Sequence, residues 1–288
     1  MPGTLYVVAT PIGNLADASP RALEALRKAA VVACEDTRTT GVLLAHFGIP
    51  VRSVALHRHN ERKQSAALVA ELLRGNDVAL VSDAGTPGIS DPGALLVAQA
   101  HAAGAPVVPV PGPNAAAAAL SASGFQSAGH VFAGFLPAAP AARRKALAAL
   151  DAPVPIVFYE APHRVLETVV DLEARFGGAH EIVIARELTK KFEEIARMPL
   201  GAAAEWLRGP HRQQGEFVLV LAPGAPGNSR ESDAGRVLAI LREALPPGEA
   251  ARLASRITGA PKNALYRSAL ARSTKSPART TKAPSRSK

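Results

Sequence analysis

Short apolar runs rich in β-branched residues recur along the chain and alternate with longer stretches of helical character. In the first part of the chain such runs occupy residues 5–10, 31–34, 51–56, 78–82 and 107–110. Each run is continuously apolar, which is typical of strands buried on both faces of a parallel sheet. Strands that alternate with helices predict an α/β domain, and we assign it to residues 1–124.

Two of the intervening helices have recognisable N-terminal signals. Ser19 followed by Pro20 predicts a helix start, with the serine as N-cap and the proline in the first turn. Asp91 followed by Pro92 predicts in the same way a helix that ends at Gly104. We therefore interpret Asp91 as a capping residue and not as part of a ligand site.

A second series of strands and helices follows. Its strands are predicted at residues 131–135, 156–160, 181–186 and 217–222. A helix precedes the second of these strands, and an amphipathic helix at residues 165–176 follows it. We assign residues 125–223 to a second, smaller α/β domain.

The remainder of the chain has a different character. Residues 224–230 are rich in Gly and Pro and are predicted to be a linker. Residues 231–272 contain short helices around a Gly259 turn, a pattern that resembles a helix-turn-helix but fits any helical hairpin. Residues 273–288 combine Ser, Thr, Pro and basic residues without apolar periodicity, which predicts a basic disordered tail.

Positive charge is concentrated at the C-terminal end. Residues 262–288 carry eight Lys or Arg and no acidic residue, whereas the other 261 residues carry 25 bases and 24 acids. Each Lys or Arg that contacts a phosphate of a nucleic acid releases counterions, so a nucleic-acid partner would explain why positive charge is concentrated at this end. A solvated tail that only increases solubility explains it equally well.

Several locations and chemistries are disfavoured. No apolar run reaches the roughly 18 residues of a membrane-spanning helix, and the N-terminus lacks the pattern of a signal peptide. We expect a cytoplasmic protein without a membrane partner. Cys34 lies in an apolar run, which favours a buried, inert thiol over a nucleophile.

Four loops at strand ends are unusually rich in Gly and Pro. They lie at residues 9–14, 82–92, 110–115 and 158–164. Glycine lets the backbone approach a ligand closely and proline makes the loop rigid, so the loops can form a cradle of main-chain groups. Because four such loops occur together, we favour a ligand site over ordinary turns.

The commonest nucleotide and metal signatures are missing from these loops. None has the glycine pattern of a dinucleotide-binding turn or of a phosphate-binding loop. His57 and His59 alternate at strand spacing, but no third ligand is placed beside them, and we predict no metal site. Asp83 and Asp91 resemble a carboxylate pair, and with Asp91 explained as a cap, Asp83 remains a site candidate.

The four loops, together with the motifs at residues 35–38, 57–61 and 185–191, closely resemble the tetrapyrrole methylase superfamily, a group of class III methyltransferases. Within it, the resemblance is to enzymes that methylate ribose in 16S ribosomal RNA. It extends from Leu5 to Ala222, and more loosely from Ile257 to Leu270. It implies a two-domain α/β fold with S-adenosylmethionine in the cleft, and a homodimer. It also implies methylation of the 2'-hydroxyl of cytidine 1402 at the decoding centre of the small subunit.

The resemblance further implies which residues contact the cofactor. They lie in the loops after the first, fourth and fifth strands and in the Tyr159 loop: Pro11, Ile12, Gly13, Asp83, Gly85, Thr86, Ile89, Pro111, Gly112, Pro113, Asn114, Ala115 and Tyr159.

A ribose hydroxyl is a poor nucleophile at neutral pH, so a group that accepts its proton should assist the transfer. The candidates are Asp83, Glu35, Asp36, His57 and Lys190. We favour Glu35 and Asp36, because packing does not explain ionisable residues directly after an apolar strand beside the predicted cleft.

Contacts with RNA are expected from basic residues that cluster in loops. These are Arg38, Arg58, Arg62, Arg164, Arg186, Lys190 and Lys191. With one Trp and three Tyr in the chain, we expect recognition of the cytidine by loop shape and hydrogen bonds more than by stacking.

Two other functions remain open at this point. A C-methyltransferase of corrin-type tetrapyrroles would share the fold and cofactor. A non-catalytic RNA-binding protein of ribosome assembly would retain only the shape of the cleft.

Overall fold

The computed structural model describes residues 1–150, 152–224 and 228–273, and the side chains of 228–233, 236 and 271–273 are excluded from the description. The chain forms two compact units. The first unit comprises Met1–Leu150 and Val154–Ala222. The second comprises Asp151–Pro153 and Pro223–Lys288.

The first unit begins with a five-stranded parallel sheet in the order β3-β2-β4-β1-β5. Its strands are β1 (Leu5–Val8), β2 (Val31–Cys34), β3 (Ser53–Ala55), β4 (Val78–Leu80) and β5 (Val107–Val110). Its helices are α1 (Pro20–Lys28), α2 (Thr37–His46), α3 (Glu61–Leu73), α4 (Ala94–Ala102) and α5 (Ala115–Ser121). The expected α/β alternation is confirmed, with strands up to three residues shorter than predicted.

Two apolar clusters enclose this sheet, one on each face. One cluster joins α1 and α2 to alternate strand residues such as Val8, Val32 and Ala79. The other joins α3 and α4 to the residues between them, such as Leu5 and Leu80. Burial on both faces explains why the central strands β1, β2 and β4 read as continuous apolar runs, since their side chains are buried or half-buried, whereas Pro109 of the edge strand β5 is exposed.

The second sheet, also in the first unit, is mixed and has the order β6-β7-β10-β8-β9. Its strands are β6 (Val131–Phe135), β7 (Ile156–Glu160), β8 (Glu181–Arg186), β9 (Glu194–Pro199) and β10 (Phe217–Leu221). Helices α6 (Pro140–Ala149), α7 (Val165–Phe176) and α8 (Leu200–Leu207) accompany it. Only β6 and β7 pair in parallel. The sequence prediction missed β9, an edge strand of alternating burial whose polar residues conceal its pattern.

The predicted start of α4 at Asp91 is wrong. The helix begins at Ala94, and Gly93 occupies the N-cap position with φ of 126°. The Glu61 carboxylate of α3 accepts hydrogen bonds from the backbone N–H of Gly93 at 2.9 Å and of Leu95 at 3.4 Å. Because a distant side chain supplies the cap, Asp91 is not needed for it. By contrast, the predicted Ser19 cap is confirmed, since its Oγ accepts from Ala22 N at 3.1 Å.

The second unit contains three helices within its described part: α9 (Asn228–Arg242), α10 (Pro247–Thr258) and α11 (Lys262–Ser273). Alanine and leucine side chains such as Leu238, Ala251 and Leu265 form its small core. Gly259, with φ of 72°, ends α10 in the left-handed conformation that glycine favours. Helix α9 begins inside the segment predicted as a linker, and residues 225–227 and the tail from 274 lie outside the described residues. Among the described helices, none is long and apolar enough to cross a bilayer.

Candidate active site

The loops that follow β1, β4 and β5 are tied to one another at the carboxyl edge of the first sheet. Thr10 and Gly85 form an isolated antiparallel bridge, with N···O distances of 2.9 and 3.0 Å. The buried Thr10 hydroxyl also donates to the Ser82 carbonyl at 3.2 Å. The Thr86 hydroxyl donates to the Pro113 carbonyl at 3.0 Å. Three loops therefore form one rigid cradle, as expected for the edge where parallel strands end.

Glycine is required where these loops cross. Gly85 has φ of 82°, and a Cβ there would lie 3.3 Å from Ile12 Cγ2. A Cβ on Gly13 would lie 2.4 Å from Lys190 Cγ, well inside van der Waals contact. The loop after β1 therefore packs directly on the loop after β8, and this contact joins the two sheets of the first unit.

A cavity of about 410 Å³ opens above the cradle, a volume suited to a small organic ligand. Its walls come from both sheets: Ile12, Asp83, Ala84, Gly85, Thr86, Ile89, Ser90, Asp91, Asn114, Ala115, Phe135, Tyr159, Glu160, Ala161, Pro162, Leu188, Glu216, Phe217 and Val218.

Many of the residues predicted to bind the cofactor line this cavity. Eight of them line it: Ile12, Asp83, Gly85, Thr86, Ile89, Asn114, Ala115 and Tyr159. Five do not line it and lie in the supporting loops: Pro11, Gly13, Pro111, Gly112 and Pro113. Asn114 has a second role, because its Oδ1 accepts from Ala117 N at 2.9 Å and caps α5.

The charged residues that line the cavity are all acidic. Glu160 is paired with Arg164 at 3.0 Å, and Glu216 is paired with Lys190 at 2.9 Å. Asp83 accepts a backbone hydrogen bond from Asp36 N at 2.9 Å, and neither Asp83 nor Asp91 has a salt bridge within the described residues. The cavity therefore suits a cationic ligand.

Asp91 is the most perturbed acid of the cavity. Burial raises its pKa to about 6, and the charges of Glu35 and Asp83 add to the effect. A hydrogen bond from Ser82 and the charge of Arg58 act in the opposite direction. A carboxyl group with such a pKa exchanges protons near neutral pH.

The two predicted catalytic residues lie outside the lining of the cavity. The Asp36 carboxylate caps α2, accepting from Arg38 N at 2.8 Å, and forms an ion pair with the Arg38 side chain at 2.7 Å. Hydrogen bonds from Arg38 lower its pKa to about 2, which makes Asp36 a weak proton acceptor. Glu35 is half-buried and contributes to the field on Asp91.

Three of the predicted RNA-binding residues are occupied by internal contacts. Arg164 donates to the Leu136 carbonyl at 2.6 Å and pairs with Glu160. Arg186 is 8% exposed and donates to the Gln214 carbonyl at 2.6 Å. These contacts indicate a structural role for both arginines.

Lys190 is the third of these residues. Its Nζ lies 2.9 Å from both the Glu187 and the Glu216 carboxylates. Glu187 and Thr189 have φ of 52° and 66°, so the loop after β8 is strained. The ion pairs hold this loop in place, and Leu188 within it lines the cavity.

The other four predicted RNA-binding residues are exposed: Arg38, Arg58, Arg62 and Lys191. Among them, Arg58 contacts a residue of the cavity wall, since its Nη2 donates to the Ser90 carbonyl at 3.4 Å.

Sequence reasoning missed several residues of the cavity, among them Ser90, Asp91, Phe135, Leu188 and Glu216. Asp91 follows the glycine-rich loop directly, and its position there was a signal that the capping interpretation removed. Leu188 and Glu216 are far apart in the chain and carry no local signal. Among the described residues, no cluster of three His, Cys, Asp or Glu could hold a metal ion.

Comparison with known proteins assigns a family. Residues 4–204 match the model of the Tetrapyrrole (Corrin/Porphyrin) Methylases, and residues 228–273 match that of the RsmI C-terminal HTH domain. The chain is 51% identical to ribosomal RNA small subunit methyltransferase I of Pseudomonas aeruginosa, over 95% of this chain and 99% of that relative. The chain belongs to the ribosomal RNA small subunit methyltransferase I family of tetrapyrrole methylases.

Other members of this family are similar over nearly their full length. The protein of the same name from Escherichia coli O157:H7 is 49% identical, over 93% of this chain and 95% of that relative. As a tetrapyrrole methylase, the chain is an enzyme that uses S-adenosylmethionine as its methyl donor.

Solved structures share the fold at low identity. A uroporphyrin-III-C-methyltransferase from Thermus thermophilus aligns with a TM-score of 0.55 at 22% identity, over 76% of this chain and 94% of that one. A diphthine synthase aligns with a TM-score of 0.57 at 18% identity, over 76% of this chain and 90% of that one. These likenesses concern the tetrapyrrole methylase fold alone.

Proposed function

We propose that this enzyme transfers the methyl group of S-adenosylmethionine to the ribose 2'-hydroxyl of cytidine 1402 in the 16S RNA of the small ribosomal subunit. The assignment of ribosomal RNA as the substrate rests on the similarity, over nearly the whole chain, to relatives named ribosomal RNA small subunit methyltransferase I. The assignment of cytidine 1402 and of its 2'-hydroxyl as the methylated group rests on the resemblance of the loop motifs to the family.

The cavity has the properties that the methyl donor requires. When bound, S-adenosylmethionine supplies a methyl group activated by a positively charged sulfonium. Asp83 and Asp91 form no salt bridge in the part of the chain that the structure describes, so they favour a cation, and the loops at Ile12, Gly85 and Asn114 offer backbone groups in a rigid arrangement. We assign the donor to this part of the cavity.

We propose Asp91 as the group that accepts the proton of the 2'-hydroxyl. It lines the cavity, and its pKa of about 6 leaves it ionised and moderately basic at neutral pH. The neighbouring Glu35 and Asp83 carboxylates keep this pKa high. This assignment replaces Glu35 and Asp36 as proton acceptors and leaves Glu35 as a residue that adjusts the basicity of Asp91.

Contacts with the RNA backbone are proposed for the exposed basic residues Arg38, Arg58, Arg62 and Lys191. Arg58 contacts the Ser90 carbonyl in the loop that carries Asp91, so it is the best placed to hold a phosphate beside the target ribose. Tetrapyrrole precursors carry several carboxylates. Because the cavity is lined by acids and by no Lys, Arg or His of the described chain, it disfavours such a substrate.

The proposed function is tested with small subunits from a strain whose own enzyme for this position has been deleted. The subunits are incubated with isotope-labelled S-adenosylmethionine, and the RNA is digested to nucleosides for mass spectrometry. The expected product is labelled 2'-O-methylcytidine from position 1402. Label on a nucleobase or at another position would refute the proposal. A parallel incubation with a tetrapyrrole precursor tests the C-methyltransferase, which transfer to that precursor would favour. Cofactor binding without transfer to either substrate would favour a non-catalytic protein.

The proposal includes a cytoplasmic homodimer, since the small subunit is a cytoplasmic substrate and the family resemblance implies a dimer. Sedimentation equilibrium measures the oligomeric state directly. A monomer that retains full activity would contradict a functional dimer.

A further inference from the structure

Phe135 is an exposed aromatic residue in the wall of the cavity. It is the last residue of β6, and 56% of its surface is accessible. Tyr159 also lines the cavity, but its hydroxyl oxygen accepts a hydrogen bond from Ala116 N at 3.3 Å, and its ring packs between Phe132 and Phe135. Phe135 therefore has an exposed ring surface at the cavity, whereas Tyr159 is engaged by its neighbours.

A β-bulge directs the Phe135 ring to this position. Residues three apart in a regular strand point to opposite faces of a sheet. Phe132 and Phe135 nevertheless both contact Tyr159, with ring centroids 5.0 and 5.6 Å away. The register between β6 and β7 shifts between Phe132 and Gly134, and Gly134 has φ of 62°. The extra residue returns Phe135 to the cavity side.

The loop that carries Asp91 packs on this bulge. A Cβ on Gly134 would lie 3.4 Å from Ser90 Oγ, and Ser90 itself has φ of 73°. A non-glycine residue in the left-handed region costs about 1 kcal/mol or more, so surrounding contacts must hold it there. The contact between Gly134 and Ser90, both with positive φ, therefore fixes the position of the Phe135 strand relative to the loop that carries Asp91.

The chemistry beside the ring suits a nucleobase and not a phosphate. The carboxylates of the cavity repel phosphate. The exposed arginine Arg58 contacts the cavity wall only at the Ser90 carbonyl. An exposed aromatic face binds any base by stacking, and enzymes that act on an unpaired nucleotide commonly hold it this way. We propose that Phe135 is the platform on which the base of the target nucleotide stacks while its ribose meets Asp91, an inference that rests on the proposed function.

The experiment compares Phe135→Ala, Phe135→Leu and Phe135→Trp in the methylation of unmethylated small subunits. Loss of stacking is expected to lower kcat/KM for subunits roughly ten- to a hundredfold in the Ala and Leu variants, and Trp is expected to retain it within about threefold. The KM for S-adenosylmethionine and the melting temperature are expected to stay near the wild-type values. Val170→Ala is the control, because Val170 is an apolar residue of α7 that is 44% exposed and does not line the cavity.

Each other result overturns the inference. Full activity of Phe135→Leu would mean that any apolar side chain suffices. A raised KM for S-adenosylmethionine would assign the ring to the cofactor, and a change of oligomeric state would assign it to a subunit contact. These outcomes leave the proposed function intact as long as the wild-type enzyme produces 2'-O-methylcytidine, and failure of the wild type to do so would refute the proposed function itself.

Discussion

Replacing Asp91 by Asn tests the proposed proton acceptor through stability as well as activity. The substitution keeps the shape of the side chain and removes its charge. Asp91 is partly buried beside Glu35 and Asp83 and has no salt bridge among the described residues. Ionised Asp91 is therefore unfavourable for the folded chain, and its removal is expected to stabilise the protein at neutral pH.

The magnitude follows from the difference between folded and unfolded pKa. The folded pKa of about 6 lies above the ordinary 3.8, so folding is disfavoured as pH rises between these values. The full shift corresponds to about 3 kcal/mol. Because the side chain is about half-buried, solvent screening reduces our expectation to about 1–1.5 kcal/mol. In a unit of this size the gain corresponds to a rise of roughly 3–5 °C in melting temperature.

The assay is thermal unfolding without cofactor at pH 8 and pH 5, followed by circular dichroism. Asp91→Asn should melt above the wild type at pH 8, and the difference should shrink by about half at pH 5, where wild-type Asp91 is largely protonated. Glu205→Gln is the matched control, because Glu205 is an exposed acid of α8 whose removal should change little at either pH.

The same variant should lose methylation. Without the proton acceptor we expect a fall of roughly 10²- to 10⁴-fold in kcat. The wild-type kcat/KM should decline below about pH 6, where Asp91 becomes protonated. Wild-type activity in Asp91→Asn would remove Asp91 from the chemistry. A variant no more stable than the wild type at pH 8 would refute the argument that the cavity strains this carboxylate.

Three further predictions concern the rest of the chain. Gly13→Ala should lower the free energy of unfolding by about 1–2 kcal/mol and weaken cofactor binding measured by calorimetry, because the added Cβ would displace Lys190. Gly41→Ala in α2 is the control and should be neutral or stabilising, because a Cβ there would have no neighbour within 4 Å. Asp171→Ala should cost about 2 kcal/mol in chemical denaturation, because it takes away the closer of two acidic partners of Arg143, whose side chain is 3% exposed, and leaves that arginine with Glu167; an unchanged midpoint would contradict this. Deleting residues 273–288 should lower the salt dependence of RNA binding, and an unchanged slope would make the tail a solubiliser.

Local patterns in the sequence were sufficient for the framework of the fold. Continuous β-branched runs predicted the parallel strands, because such runs are needed wherever both faces of a sheet are covered. Ser19 and Pro20 predicted the start of α1, because capping depends on neighbouring residues. The glycine- and proline-rich loops indicated a cradle, and their motifs indicated the family.

The choice of residues at the cavity depended on contacts between distant parts of the chain. Asp91 reads as a helix cap until Glu61, from another helix, is seen to occupy that role. Arg164 and Arg186 read as RNA contacts until their partners fill their hydrogen bonds. Phe135 reads as an ordinary strand residue until a one-residue bulge turns its ring into the cavity. A side chain's neighbours across the fold set its charge state and its direction, and local periodicity contains no information about those neighbours.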